Sequence, residues 1–202
     1  GKKDPVLAGT VLENMLNAHV ETYHLLKAIP GSEKVKIGLV KNIFQFDPLR
    51  RWHLLDWAFS KILNDVYTNA PLEFLKTGKS SFYMPGMVDN EMLNPEAPGT
   101  LDFIGLNYYS RMHVKGRLNP EEPFVFDTRQ QDIMTDMGYP LYAEGFYRAL
   151  KTISEVDVPI YVTENGLADD KDTVRPLFIE RYLYALNQAL KDRIDIRGYF
   201  YW

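Results

Sequence analysis

The sequence predicts an α/β fold on parallel strands, and two observations carry that reading. Four short apolar runs, near 35–43, 101–109, 158–162 and 194–202, alternate with longer stretches whose apolar residues recur at three- and four-residue spacing. Each run also gathers polar residues at its C-terminal end, the edge of a parallel sheet where ligands bind and, in a closed barrel, where catalytic residues collect. Such alternation is the pattern of βα units joined by right-handed crossovers. A closed eight-stranded barrel takes about 250 residues, near 31 per unit, whereas four units in this chain take about 50 each. The expectation is therefore half of a (β/α)8 barrel. Gly1 is not an initiator Met and Trp202 falls inside a strand, so the chain is expected to be a piece of a longer polypeptide.

Composition narrows the function classes. Of the 202 residues, 46% are hydrophobic and 25% charged, and the net charge is −4, which supports a sizeable core and not disorder. Lys and Arg form no basic stripe, arguing against nucleic acid and against an anionic membrane as partners. No apolar run approaches the roughly 18 residues of a membrane span. The absence of cysteine excludes disulfides and thiolate metal sites. With an opening Gly1-Lys-Lys-Asp-Pro5 unlike a secretory leader, it favours a cytoplasmic location. Sugars and other neutral small molecules are left as ligands.

Taken in order, Asp4 as N-cap and Pro5 at the first helical position predict a helix to Ala28. Its apolar face comprises Val11, Leu12, Met15, Leu16, His19, Val20, Tyr23 and Leu26. With no acidic residue or third histidine at ligand spacing, His19 and His24 read as structural. A strand follows over 35–43, with a break at Phe46-Asp-Pro48. A helix spans His53–Leu75, with Trp57, Ala58, Ile62, Val66 and Tyr67 inward. Residues 79–100 hold three prolines and two glycines and predict an irregular loop. After the second strand, the polar stretch 111–139 predicts a long binding loop. A helix over Ala143–Val156 leads to the third strand. A last helix, Val174–Asp192, presents Phe178, Tyr182, Leu186 and Leu190, and precedes the final strand.

The chemistry gathers at strand ends. Val158–Val162 is a buried strand that stops at Glu164, with Gly166 expected to end it by adopting backbone angles other residues avoid. A carboxylate there suits a nucleophile, a base or a metal ligand, and equally a helix cap or an ion pair. Asn107 and Tyr109 close the second strand, either as hydrogen-bonded core polars or as donors around a carboxylate. Asn42 closes the first, as a loop cap or a ligand for a hydroxyl.

Three stretches in register add a resemblance. Asp102-Phe-Ile-Gly-Leu-Asn-Tyr-Tyr109, Thr163-Glu-Asn-Gly166 and Arg197-Gly-Tyr-Phe-Tyr-Trp202 resemble successive signature stretches of family 1 glycoside hydrolases, the β-glucosidase family, and the likeness covers essentially the whole chain. It implies strands five to eight of a TIM barrel, so that residues 1–202 form the C-terminal part of a single catalytic domain. The N-terminal half of that barrel then becomes a partner of these residues. The resemblance implies Glu164 as catalytic nucleophile and Tyr109 as the phenol donating to it. Asn107 lies nearby, Trp202 under the cleaved sugar, and Asn42 on the aglycone side. Tyr139 stands where the family usually has a Trp in a Met-Gly-Trp context. The acid/base Glu of the family's Asn-Glu-Pro stretch falls before Gly1. The implied activity is retaining hydrolysis of a small-molecule or oligosaccharide β-glycoside, without metal or organic cofactor. The alternative is a non-catalytic sugar-binding relative whose other half lacks the acid/base.

Overall fold

The computed structural model describes residues 4–202. Helix α1 (Pro5–Lys27) starts as the sequence predicts, with Asp4 accepting from the Leu7 backbone N–H at 3.0 Å and Pro5 in the first turn. Strand β1 (Gly38–Pro48) leads to α2 (Leu54–Asn64), which passes through a π turn (Asp65–Asn69) into α3 (Ala70–Thr77). Gly78 closes α3 in the left-handed region, φ 76°. Strands β2 (Lys79–Met84) and β3 (Val88–Leu93) follow, then β4 (Phe103–Gly116) and β5 (Phe124–Asp127). Helix α4 (Ala143–Ile153), β6 (Ile160–Asn165), α5 (Arg175–Lys191) and β7 (Ile196–Tyr201) complete the chain.

The sheet order is β1-β4-β6-β7, and each of those three pairings is parallel. Four parallel strands with intervening helices are the α/β half-barrel arrangement that the alternation predicts. One face of the sheet packs against the helices. Ile104, Leu106 and Tyr108 of β4 and Ile160 and Val162 of β6 meet Phe146, Ala149, Leu150 and Ile153 of α4, with Phe178 and Tyr182 of α5 stacked at 3.9 Å. The other face is the inward one. A Cβ built on Gly105 would lie 2.9 Å from Val40 and 3.0 Å from the Thr163 hydroxyl, so three strands converge there.

The structure corrects several local expectations. Strand β1 begins at Gly38 and runs to Pro48, because pairing with β4 resumes after a bulge at Ile43/Gln45 and continues to Pro48↔Val114. The proline ends the strand; its missing N–H costs nothing there. Residues 79–100 are not irregular throughout. They contain the antiparallel β2–β3 hairpin, turned at Pro85-Gly86. Nor is 111–139 all loop, since β4 extends to Gly116 and β5 folds back on it. In α1, Leu16 and Val20 are buried but Val11, Met15 and Leu26 are exposed. In α2 the buried positions are Asp56 and Ser60, while Trp57, 54% exposed, and Ala58 face outward; of the expected apolar face, Val66 is buried and Ile62 packs against it. In α5, Ala185 and Ala189 are buried and Leu190 is exposed. His19 Nε2 bonds the Thr100 carbonyl at 2.9 Å, a structural contact linking α1 to the segment before β4. No helix among the described residues is long and apolar enough to cross a membrane.

Candidate active site

Glu164 and Thr163 are adjacent, yet both serve the inward face. A regular strand would send them to opposite sides. A register shift after Leu106↔Val162 instead brings Glu164 opposite Asn107, the re-aiming of a side chain that bulges accomplish. The Thr163 hydroxyl donates to Asn107 Oδ1 at 2.6 Å, and the Tyr109 hydroxyl donates to Glu164 Oε2 at 2.6 Å. Burial, then the bond to Glu164 and its negative charge, push the Tyr109 phenol well above its usual pKa. Tyr109 therefore remains a protonated donor at any working pH.

The middles of β1 and β4 and the ends of β6 and β7 surround a cleft of about 430 Å³, whose walls include Asn42, Phe44, Tyr109, Tyr139, Gly166 and Trp202. Four sequence-predicted residues thus meet in one cavity. Glu164 stands beside it, tied to Tyr109, and Asn107, in register with Asn42 and Glu164, is engaged by Thr163. The Asn42 side-chain oxygen is buried and has no hydrogen-bond partner among the described residues. Buried acceptors are seldom left unpaired, so this one is suited to a ligand hydroxyl. A larger depression of about 760 Å³ between α4 and α5 lies on the helical outside, away from the strand ends.

Gly166 does not adopt the left-handed backbone expected of it. Its glycine requirement is a close approach: a Cβ there would sit 2.0 Å from the Trp202 carbonyl oxygen. Gly166→Ala is expected to cost about 1–3 kcal/mol of stability and to shift Trp202. A thermal melt of the full-length protein checks it, and an unchanged Tm refutes the contact. Asn165 adds a second lock. Wholly buried, it donates to the Tyr108 carbonyl at 2.6 Å, accepts from the Tyr199 hydroxyl at 2.8 Å, and its carbonyl takes the Trp202 N–H at 2.9 Å.

The loop carrying Tyr139 is pinned from two sides. Asp132 accepts from Arg111 at 3.0 Å and from His113 at 3.0 Å, both on β4. Asp136 bonds through its N–H to the Ala168 carbonyl and through its carboxylate to the Asp170 N–H. Tyr139 then faces Phe44 with ring centroids 5.6 Å apart. Burial and the neighbouring Arg111 and Arg129 charges lower the His113 pKa, so the imidazole acts as a neutral donor to Asp132.

The family model for glycosyl hydrolase family 1 matches residues 1–202. The chain belongs to glycosyl hydrolase family 1. Among family 1 relatives, a β-galactosidase of Pyrococcus woesei is 27% identical over 100% of this chain and 44% of its own length. A β-glucosidase A of Thermotoga maritima is 28% identical over 100% of this chain and 48% of its own. Among solved structures, a β-glycosidase from Pyrococcus horikoshii superposes with a TM-score of 0.82 at 33% identity, covering 99% of this chain and 45% of that one. The chain spans about half the length of the curated relatives it matches.

Within this family 1 chain, sequence reading missed Phe44, Thr135, Met137, Leu167 and Ala168 as cleft residues. Phe44 was accessible to it, because alternation from Asn42 places both on one strand face. The 135–137 and 167–168 segments were not, since loop paths carry no periodicity. Asn165 was overlooked because its role is to join three strands, and a local motif does not display that.

Proposed function

We propose that the full-length protein is a retaining β-glycosidase, that this chain is the C-terminal half of its (β/α)8 barrel, and that Glu164 is the nucleophile. The observation that carries the reading is the 2.6 Å bond from Tyr109, in the middle of β4, to Glu164 at the C-terminal end of β6. A carboxylate held by a protonated phenol beside an aromatic-lined cleft is oriented for attack on an anomeric carbon. Retaining glycosidases use two carboxyl groups about 5–5.5 Å apart. In the first step a Glu164 oxygen forms a bond to the anomeric carbon as the bond to the leaving oxygen breaks, and that oxygen takes a proton from the acid/base residue. In the second, water attacks the glycosyl ester, giving up a proton to the same residue and releasing Glu164. The acid/base belongs to the N-terminal half of the barrel. This scheme consumes only water and calls for neither metal nor organic cofactor.

The remaining roles follow from position. Trp202 forms the floor under the sugar, Asn107 supports the pocket with Thr163, Asn42 accepts from a substrate hydroxyl, and Tyr139 with Phe44 flanks the leaving group. The relatives' names, β-galactosidase and β-glucosidase, support a β-glycoside as substrate. Incubating the full-length enzyme with a 2-fluoroglycoside bearing a good leaving group tests the assignment. The peptide containing Glu164 is expected to carry the label; a label elsewhere, or none in an active enzyme, would sink it.

Tyr109→Phe keeps the ring and removes one hydrogen bond to a charged group, worth about 1.5–3 kcal/mol. Turnover is expected to fall about 10- to 150-fold, with the fold retained. Steady-state kinetics and a circular dichroism spectrum check both parts. An unchanged rate would reduce Tyr109 to a structural residue.

A further inference from the structure

We propose that the turn after β1 is a second sugar-binding platform, on which Trp52 stacks the distal units of a β-linked oligosaccharide whose scissile end lies in the cleft. The proposal rests on the glycosidase reading and gives it a substrate class, oligosaccharides longer than a disaccharide. The Trp52 side chain is 95% exposed. It lies in a shallow recess of about 390 Å³ with Leu49, Arg51, Arg129, Gln130 and Gln131. The side chains of Arg51, Gln130 and Gln131 are exposed and form no hydrogen bond among the described residues. A free indole face suits the apolar C–H surface of a pyranose, and its polar edge stays available. Two amides and a guanidinium around it supply the donors and acceptors that ring hydroxyls need.

The exposed ring stands on an ordered turn. The His53 N–H bonds the Arg50 carbonyl at 3.1 Å, and buried Asp56 accepts from the Arg50 backbone N–H at 2.9 Å. From the other wall, Arg129 donates to the Pro48 carbonyl at 2.6 Å and the Leu49 carbonyl at 3.2 Å. A platform fixed in advance loses little entropy when a ligand lands on it. Location completes the case. The recess lies between the end of β1 and the 129–131 segment that follows the β4–β5 hairpin. Both walls continue into the cleft, β1 through Phe44 and the loop through Thr135 and Tyr139. From Phe44 to Pro48 the strand rises about 13 Å, at roughly 3.3 Å per residue. A monosaccharide in the cleft does not reach that far. An oligosaccharide passing over the Phe44–Tyr139 pair, whose ring centroids lie 5.6 Å apart, does.

The test uses the full-length protein and its Trp52→Ala variant, assayed on an aryl β-glucoside, cellobiose and cellohexaose. The variant is expected to lose about 3- to 10-fold in kcat/KM on cellohexaose, with the aryl glucoside rate and the Tm unchanged. In parallel, cellohexaose is titrated calorimetrically into full-length Glu164→Gln with and without Trp52→Ala, and the same fold-loss in affinity is expected. An equal loss on all three substrates, or a lowered Tm, would overturn the proposal by showing that Trp52 packs against the rest of the protein. Should the wild type hydrolyse no β-glycoside, the glycosidase reading fails. The titration, repeated with the wild type, still decides the platform, and equal affinity with and without Trp52 overturns it.

Discussion

Replacing Glu164 with Gln in the full-length protein is expected to lower turnover by more than about a thousandfold while the fold and weak sugar binding persist. The swap is nearly isosteric, and Gln retains an oxygen to accept from Tyr109, whose bond to Glu164 is 2.6 Å. Ile160 and Val162, which bury β6, are untouched. What disappears is the negative charge and the nucleophilic lone pair that form the glycosyl ester. Glu164→Ala gives a sharper readout with azide. On a substrate with a good leaving group, azide is expected to enter the vacated space and restore turnover, giving a glycosyl azide of α configuration. Retained wild-type activity in Glu164→Gln, or an azide product of β configuration, would remove Glu164 from the nucleophile's place.

The strand-end logic was legible because it is local. Apolar runs leading into Asn107, Tyr109 and Glu164 give strands and a direction, and the parallel pairing of β4 with β6 makes Asn107 and Glu164 neighbours although β4 itself continues to Gly116. The Tyr109 to Glu164 contact depends in addition on a bulge, which no periodicity announces. Local reading failed where long-range pairing extended an element. The first strand is expected to stop near Ile43, but β4 continues alongside to Val114 and carries β1 past the bulge to Pro48, which ends it. Proline and glycine in 79–100 suggested irregularity, whereas Pro85 and Gly86 occupy only the turn of a hairpin. Gly166 shows the subtler failure: its importance was read correctly and its reason was not. Left-handed backbone is a property of one residue, but the approach of the Trp202 carbonyl belongs to β6 and β7 together. The start of α2 failed for a comparable reason: Trp57 and Ala58 were expected inward, but the buried group there is the Asp56 carboxylate, while Ile62 and Val66 do pack inward.

That carboxylate, Asp56, is the basis of the largest expected stability effect. Its side chain is fully buried and joins three elements. It accepts from the Arg50 guanidinium at 2.6 and 3.0 Å, from the Arg50 backbone N–H at 2.9 Å and from the Gly116 N–H at 2.9 Å. Burial pushes its pKa up, but the bonds from the Arg50 side chain and backbone, the Gly116 N–H and the Arg50 charge together outweigh it. The net result is a fall from 3.8 to about 2. Asp56→Ala would leave the Gly116 N–H unpaired in the interior and the guanidinium without its carboxylate, keeping its bonds to the Gly116 carbonyl and His53. Losing one member of a buried pair costs about 3–5 kcal/mol. Because the Arg50 side chain is 42% exposed and water can solvate it, about 3 kcal/mol is the expected figure here. A clear drop in Tm of the full-length protein checks this. The pH dependence has a fixed sign. A carboxyl whose folded pKa is depressed contributes its stability in full above the unfolded value near 3.8 and loses it as pH falls through about 2. Asp56→Asn should therefore flatten the decline in stability between about pH 4 and pH 2. A variant that melts like the wild type at pH 7, or declines as steeply in acid, would show that the Arg50, Asp56 and Gly116 junction does not hold the end of β1 against β4.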